Sequence, residues 1–149
     1  MNWLYNEKEI TDISHFPPNT FGFVYEVITP EGKKYVGKKV LYHNHKKKLT
    51  KAELALQTGR GRKSHYKIVQ KESDWKKYIG SNAELKRQIT EGEVTLKDLK
   101  KQILELAFDK KHLTYLETKW LFQLEVLEQP EKYYNDNILG KFFTSDFDF

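Results

Sequence analysis

The chain has 149 residues, a formal net charge of +5, 14% aromatic residues and no cysteine. This length suits one domain with its own core, and the aromatic content argues against wholesale disorder. The lack of cysteine excludes disulfides and thiolate metal sites. Because we see no secretory signal and no long apolar run, we expect a soluble intracellular protein that does not enter a membrane.

Positive charge is concentrated in one stretch of the chain. Residues 33–77 hold 15 Lys or Arg against 3 Asp or Glu, whereas the remainder has a net charge of −7. Such a field favours a polyanionic partner, most often nucleic acid, although a solvated charged loop would look the same. Interleaved aromatics that can stack on bases favour binding. The candidate DNA-binding residues are Gly37, Lys38, Lys39, Lys46, Lys47, Lys48, Arg60, Arg62, Lys63, Lys76 and Lys77.

A β-hairpin is predicted after an N-terminal extension over residues 1–20. The turn Thr29-Pro30-Glu31-Gly32 has Pro at its second position and Gly at its fourth, as in a type I turn with a bulge. The resulting register pairs Tyr25 with Gly37 and Val27 with Tyr35. Both phenols then lie on one face as diagonal neighbours, about 7–8 Å apart at the backbone. Gly37 would leave an empty place beside Tyr25 that a ligand could occupy.

Three further elements are predicted before the last helix. The capping box that begins at Thr50 indicates a short helix over residues 51–57, followed by a Gly-rich basic loop. A second capping box at Ser81–Glu84 indicates a helix that ends before Gly92. A third strand is expected near the end of residues 97–108.

The clearest helix, residues 112–127, carries an acid on its apolar side. At 100° per residue, Glu117 falls within the arc formed by Leu113, Trp120, Leu121 and Leu124. A buried carboxylate is costly unless it is paired or binds a metal. Two alternatives stay open: a Lys or Arg from elsewhere pairs with Glu117, or Glu117 lies at the end of the buried stripe.

Two phenols, a carboxylate and dense positive charge together suit phosphodiester hydrolysis. Glu117 could hold one Mg²⁺ (or Mn²⁺), which needs few protein ligands and keeps its waters. A phenol could accept a proton from water if neighbouring Lys or Arg side chains lower its pKa. A guanidinium could balance charge on the transition-state oxygens.

These residues resemble the GIY-YIG nuclease family. Gly22-Phe23-Val24-Tyr25 matches the first motif with one extra residue, and Tyr35-Val36-Gly37 matches the second. Glu117 has the position of the family's metal-binding glutamate, and Asn135 is similar to its late asparagine. The resemblance spans residues 21–138, and the run from Glu72 to Ser81 looks like small phage-encoded members.

The resemblance implies an α+β fold with a three-stranded antiparallel sheet flanked by helices, and a basic insertion after the second strand. It places a nuclease domain at residues 21–141 and implies hydrolysis without a covalent intermediate. Tyr25 or Tyr35 would be the general base or would position the water. The family's arginine has no counterpart in residues 38–45, so Arg60, Arg62 or Lys39 would replace it.

The last residues, 142–149, alternate aromatic and acidic side chains and form a separate acidic tail. They resemble the acidic, phenylalanine-ended tips of single-stranded DNA-binding proteins, although a locally packed terminus is equally compatible with them. We expect a metal-dependent DNA endonuclease with low sequence specificity or a preference for DNA structure. The alternatives are a non-catalytic nucleic-acid-binding protein on the same scaffold, or a DNA-replication accessory that binds a protein partner through this tail.

Overall fold

The computed structural model describes residues 1–59 and 61–149, which form a mixed α and β structure. The chain divides into two compact units, the body (residues 1–41 and 74–149) and the insert (residues 42–73). The helices and strands are β1 (Trp3–Tyr5), β2 (Lys8–Ile10), β3 (Gly22–Ile28), β4 (Lys34–Val40), β5 (Tyr42–Lys48), α1 (Lys51–Ala55), β6 (Tyr66–Glu72), α2 (Ala83–Thr90), β7 (Lys100–Ala107), α3 (Lys110–Gln123), β8 (Asn137–Ile138) and β9 (Phe142–Phe143).

The body is built on a five-stranded sheet of order β2-β1-β7-β3-β4. Its centre is the predicted set of three antiparallel strands, with β3 between β4 and β7. Residues 3–10, for which the sequence predicted no strand, form a hairpin whose first strand pairs in parallel with β7. Trp3 begins this addition and is fully buried, so a single aromatic residue explains why a weakly patterned segment joins the sheet.

The predicted hairpin register is confirmed. Tyr25 pairs with Gly37 and Val27 with Tyr35. Gly32 has φ +91° and its N–H donates to the carbonyl of Thr29, as the bulged type I turn requires. The two phenol rings share a face with their centroids 6.3 Å apart.

The two faces of the sheet are covered differently. The face that carries Val24 and Val36 packs against α3 in an aliphatic core. The opposite face carries Phe23 and Tyr25, which pack with Trp3 in an aromatic cluster. This alternation along β3 follows from the two-residue period of a strand, and it places the two tyrosines on the side away from α3.

The helix α3 begins earlier and ends earlier than predicted. Asp109 is its N-cap and accepts a hydrogen bond from the N–H of His112, so the helix starts at Lys110. It ends at Gln123, before Glu125, which has a left-handed φ of +53°. The prediction extended to Leu127 because that residue fits the apolar arc of the helix; Leu127 is indeed buried in the same core, but it lies beyond the turn.

The outer edge of β4 is bordered by the chain that follows α3. The N–H of Lys34 donates to the carbonyl of Lys132, and the N–H of Tyr134 donates to the carbonyl of Lys34. The tail then forms β9, pairs with β8, and is anchored where Thr144 Oγ1 donates to the Leu127 carbonyl. Residues 142–144 are therefore tied to the preceding chain, although Phe142 and Phe143, like Phe147, have exposed side chains.

The insert is a two-stranded antiparallel ribbon of β5 and β6 with the short helix α1 between them. The predicted capping box of α1 is present between Thr50 and Glu53. The two strands were not predicted because their residues are mostly polar and show no apolar alternation. Among the described residues, no helix combines the length and the apolar character needed to cross a membrane.

Candidate active site

A cavity of about 570 Å³ opens at the outer edge of β4 in the body. It is lined by residues of β4, α2, α3 and the segment after α3: Tyr35, Val36, Lys38, Ser81, Asn82, Ala83, Glu117, Leu121, Asn135, Asp136, Asn137 and Leu139. The sequence grouped Tyr25, Tyr35 and Glu117, and the family resemblance added Asn135; all of them except Tyr25 line this cavity.

Of the two motif tyrosines, Tyr35 lines this cavity and Tyr25 does not. Tyr35 is partly exposed, and its hydroxyl shares a hydrogen bond of 3.0 Å with Ser81 Oγ. Tyr25 is only 1% exposed and packs against Trp3 and Tyr78. The structure thus separates a tyrosine that a substrate can reach from one that is part of the core.

Two glycines make room for these rings. A Cβ at Gly37 would lie 2.5 Å from Tyr25 Oη and 3.2 Å from Tyr35 Cε1. A Cβ at Gly80, which has φ +106°, would lie 2.8 Å from the Tyr35 ring. The predicted empty place beside Tyr25 is wrong, because the phenol of Tyr25 itself fills the space that Gly37 leaves.

The expectation that nearby cations lower a phenol pKa is also wrong. Burial raises the pKa of Tyr25 well above its usual value, and the neighbouring Tyr35 and Tyr78 raise it further. Burial likewise raises the pKa of Tyr35, although its hydrogen bond with Ser81 opposes the shift. Both side chains are therefore neutral phenols at pH 7.

Glu117 projects from α3 to the edge of β4. Burial raises the pKa of its carboxyl group, while the charge of Lys38 and a hydrogen bond from the Lys38 backbone N–H oppose that rise. The ammonium of Lys38 donates to Thr114 Oγ1 at 3.1 Å, one turn before Glu117. The carboxylate on the apolar side of the helix therefore accepts a hydrogen bond from the backbone of β4 and lines the cavity.

Asn135 contacts the same strand, β4, and lines the same cavity as Glu117. Its Oδ1 accepts from the N–H of Val36 at 3.0 Å, and its Nδ2 donates to the Val36 carbonyl at 2.8 Å. Both amide atoms are used on the backbone that precedes Gly37. These two hydrogen bonds tie Asn135 to the β4 backbone.

The cations predicted near the site are distributed unequally. Lys38 lines the cavity, whereas Lys39 lies on the other face of β4, pairs with Asp74 at 2.5 Å and lies over the Tyr78 ring. Arg62 belongs to the insert, and Arg60 lies outside the described residues. The remaining arginine, Arg87 of α2, forms ion pairs with three glutamates, Glu84, Glu91 and Glu93.

The segment that carries Tyr78, Gly80 and Ser81 is anchored at its start. Trp3 Nε1 donates to the Trp75 carbonyl at 2.7 Å, and Lys101 Nζ donates to the Lys76 carbonyl at 2.9 Å. Lys101 is 2% exposed, and burial lowers its pKa to about 8. Sequence reasoning missed Trp3, Lys101 and Ser81 as supports of the site. For Lys101, the sequence signal that could have been used is a lysine within the apolar stretch that forms β7.

The other predicted DNA-binding lysines lie on exposed surface. In the body, Lys76 and Lys77 are exposed, and Lys76 pairs with Asp12 at 3.7 Å. In the insert, Lys46, Lys47 and Lys48 follow one another along β5, and Lys63 precedes β6; all four are exposed.

The donor set of the cavity fits a hard cation that keeps most of its water. Over the described parts of the chain, no three His, Asp or Glu side chains are grouped so that they could hold a metal ion. The cavity nevertheless offers the Glu117 carboxylate and the exposed Asp136 carboxylate, whereas the amides of Asn82 and Asn137 are already hydrogen-bonded within the protein. One carboxylate beside polar space suits Mg²⁺, which is bound through one or two carboxylates and substrate phosphates.

A protein-family model matches most of the chain. The family model described as "Putative endonuclease segE, GIY-YIG domain" matches residues 3–138, which include β1 and every cavity residue except Leu139. No curated protein and no solved structure matches the chain. Because the family model covers most of the chain, including both tyrosine motifs, Glu117 and Asn135, the protein belongs to the GIY-YIG nuclease family.

Proposed function

We propose that this protein is a metal-dependent endonuclease that hydrolyses phosphodiester bonds of DNA in the cavity at the edge of β4. The observation that carries the proposal is the meeting of Glu117, Tyr35 and Lys38 in one cavity. These side chains arrive from a helix and from both faces of one edge strand. In this proposal Glu117 is the metal ligand, Tyr35 supplies a hydroxyl and Lys38 supplies a cation for one phosphate group.

Glu117 would hold Mg²⁺ (or Mn²⁺), with waters and substrate oxygens as the other ligands. The metal, when bound, supplies positive charge that polarises the phosphate and stabilises the leaving oxygen. The burial of Glu117 supports this role, because a carboxylate that loses hydration gains most from a cation beside it.

Tyr35 positions the attacking water without ionising. Its hydroxyl can donate to Ser81 Oγ and still accept a hydrogen bond from water with its remaining lone pairs. A phenol with a raised pKa stays protonated at pH 7, so orientation rather than proton abstraction is the contribution that this side chain can make. The neutral Tyr25 supports the ring from inside the core.

Lys38 takes the place of the family's arginine in this proposal. Lys38 lines the cavity, and its ammonium group, which donates to Thr114 Oγ1, would balance negative charge on the non-bridging phosphate oxygens. A lysine supplies a point charge rather than the two-pronged contact of a guanidinium. Arg60 and Arg62 remain the alternative cations that the sequence suggests for this role.

We expect removal of the two phenol hydroxyls to affect different properties of the protein, cleavage for Tyr35 and stability for Tyr25. Tyr35→Phe should lower kcat for DNA cleavage about 10- to 100-fold. The attacking water would lose its hydrogen bond to the phenol oxygen, and a hydrogen-bonding group left unpaired costs about 1–3 kcal/mol. Tyr25→Phe should mainly lower the free energy of unfolding. Single-turnover cleavage and chemical denaturation of both variants measure the two effects. Equal losses of cleavage in both variants would contradict the assignment to Tyr35.

The substrate is proposed to be DNA, with low sequence specificity or a preference for structure. The support is the excess of Lys and Arg over residues 33–77. The competing proposal, a non-catalytic nucleic-acid-binding protein, is favoured because no arginine is among the described residues that line the cavity.

Metal removal separates these two functions. Supercoiled plasmid should be nicked in Mg²⁺ and left intact in EDTA, while DNA binding in a gel-shift assay persists in both. Binding that is never followed by nicking in Mg²⁺ or Mn²⁺ would favour the non-catalytic protein. Nicking at the same rate in EDTA would exclude metal dependence.

A protein partner for the tail is a separate proposal. Phe147 and Phe149 are 51% and 60% exposed and alternate with Asp146 and Asp148, which suits a basic, apolar groove on another protein. A replication accessory role would require this contact.

A further inference from the structure

The two strands of the insert form a ribbon with two chemically distinct faces. Seven residue pairs join β5 and β6, from Tyr42 opposite Glu72 to Lys48 opposite Tyr66. Because side chains alternate along a strand, every second pair faces the same way. We call one side the amide face. It begins with the end pair Tyr42 and Glu72. Between that pair and the tip of the ribbon it carries Asn44, Lys46, Lys48, Tyr66, Ile68 and Gln70.

The amide face is exposed along this length. Asn44 and Gln70 lie directly opposite each other at its centre, and both are exposed. The adjacent Ile68 is 72% exposed and Tyr66 is 54% exposed. Ile68 and Tyr66 therefore add apolar surface beside the two amides, and a two-stranded ribbon is marginally stable without packing against something else.

Some side chains of the opposite face contact α1 or one another. Lys67 pairs with Glu53 of α1 at 2.6 Å, and the rings of His43 and His45 lie 6.1 Å apart in an edge-to-face arrangement. The opposite face also exposes His43, His45, Lys47 and Lys71, whereas the amide face is the side that carries both side-chain amides. The insert as a whole carries nine Lys or Arg against two acidic residues, so the ligand is expected to be anionic.

The major groove of B-DNA fits this face in size and chemistry. It is about 12 Å wide and admits a two-stranded β-ribbon. Asn and Gln side chains pair with two atoms of adenine, an apolar side chain contacts the thymine methyl group, and lysines bind phosphates or guanine. A-form RNA has a major groove too deep and narrow for such contacts. Asn44, Gln70 and Ile68 supply the first two contacts.

We propose that the amide face lies in the major groove of duplex DNA and that Asn44 and Gln70 read base edges there. This inference rests on the proposed DNA-cleaving function and specifies its substrate as B-form duplex with a short base preference. The residues involved belong to the insert alone. Two amides can select one or two base pairs, which agrees with low overall specificity.

Selection of bound duplexes from a random pool tests the inference without any cleavage. The full chain is incubated with the pool in EDTA, and the bound fraction is sequenced. The wild type should enrich adenine at one or two adjacent positions, and each amide contact should contribute about 5- to 150-fold in preference. The double variant Asn44→Ala/Gln70→Ala should lose the preference but keep its affinity for random duplex, since its lysines remain.

The matched control is His45→Ala/Val69→Ala, the neighbouring pair on the opposite face, which should keep the wild-type preference. A second variant, Gln70→Arg, should change the preferred base from adenine to guanine, because arginine pairs with guanine O6 and N7. This change of preference cannot arise from misfolding.

The inference is overturned if the wild type enriches no bases, if Asn44→Ala/Gln70→Ala keeps the preference, or if double-stranded RNA competes as well as DNA. It is also overturned if Gln70→Arg retains a preference for adenine. These outcomes do not depend on catalysis. If the wild type selects bases but never nicks plasmid in Mg²⁺, only the nuclease proposal is refuted. If it nicks plasmid without selecting bases, only the proposal that the amide face reads bases is refuted.

Discussion

Glu117→Gln should abolish DNA cleavage and yet make the folded protein more stable at pH 7. Cleavage should fall about 1,000-fold or more, because charge stabilisation by a metal is worth several kcal/mol and the amide cannot replace the carboxylate as its ligand. Stability should rise because burial raises the pKa of Glu117, so its ionised form is disfavoured in the folded state.

The pH dependence of this gain has a definite sign. A carboxyl group with a raised pKa in the folded state favours folding below its unfolded pKa, and this advantage is lost as the pH rises through the folded pKa. The wild type and Glu117→Gln should therefore have similar free energies of unfolding near pH 4 and diverge towards pH 7. Urea denaturation across this range measures the difference. Glu125→Gln, an exposed acid just beyond α3, is the control and should change neither cleavage nor stability.

If Glu117→Gln were less stable than the wild type at pH 7, the carboxylate would be stabilised by its surroundings in the folded state. Its contact with Lys38 would then be a structural ion pair. Full cleavage by the variant would remove Glu117 from the chemistry altogether.

Gly37→Ala should destabilise the protein by about 1–3 kcal/mol, the usual cost of inserting a methyl group into a packed core. In an open strand the same change would stabilise, since glycine costs about 0.5–1 kcal/mol there. The sign is reversed because the new Cβ would lie 2.5 Å from Tyr25 Oη and 2.8 Å from Cζ. Tyr25 is 1% exposed and has no free space into which it can move.

A double-mutant cycle with Tyr25→Phe identifies the cause. Removing the hydroxyl removes the closest of these contacts, so Gly37→Ala should cost less in the Tyr25→Phe background than in the wild type. Thermal unfolding of the four proteins gives the coupling free energy. An equal cost in both backgrounds would mean that the phenol of Tyr25 does not occupy the space above Gly37.

The hairpin and the carboxylate were predictable because each depends on local geometry. The register follows from the turn at Pro30 and Gly32, and the direction of Glu117 follows from the 3.6-residue period of its helix. The expected antiparallel strands are present at the centre of the sheet.

The remaining features depend on contacts between distant parts of the chain. The strands at Trp3 and Lys8 join the sheet because Trp3 is buried against the aromatic face, which no local pattern reveals. The raised pKa of Tyr35 reflects burial by the segment around Ser81, 46 residues later. The ribbon of the insert consists of polar residues, so its strands carry no hydrophobic signal.

The proposed chemistry depends on one claim, that the carboxylate of Glu117 holds a divalent cation in the cavity beside Tyr35. The most direct test is the melting temperature of the wild type and of Glu117→Gln, measured without DNA as Mg²⁺ is increased. Binding to the folded state should stabilise the wild type by about 1.4 kcal/mol at ten times the dissociation constant, and should leave Glu117→Gln unchanged. The same Mg²⁺-dependent rise in both proteins, or no rise in either, would contradict the claim.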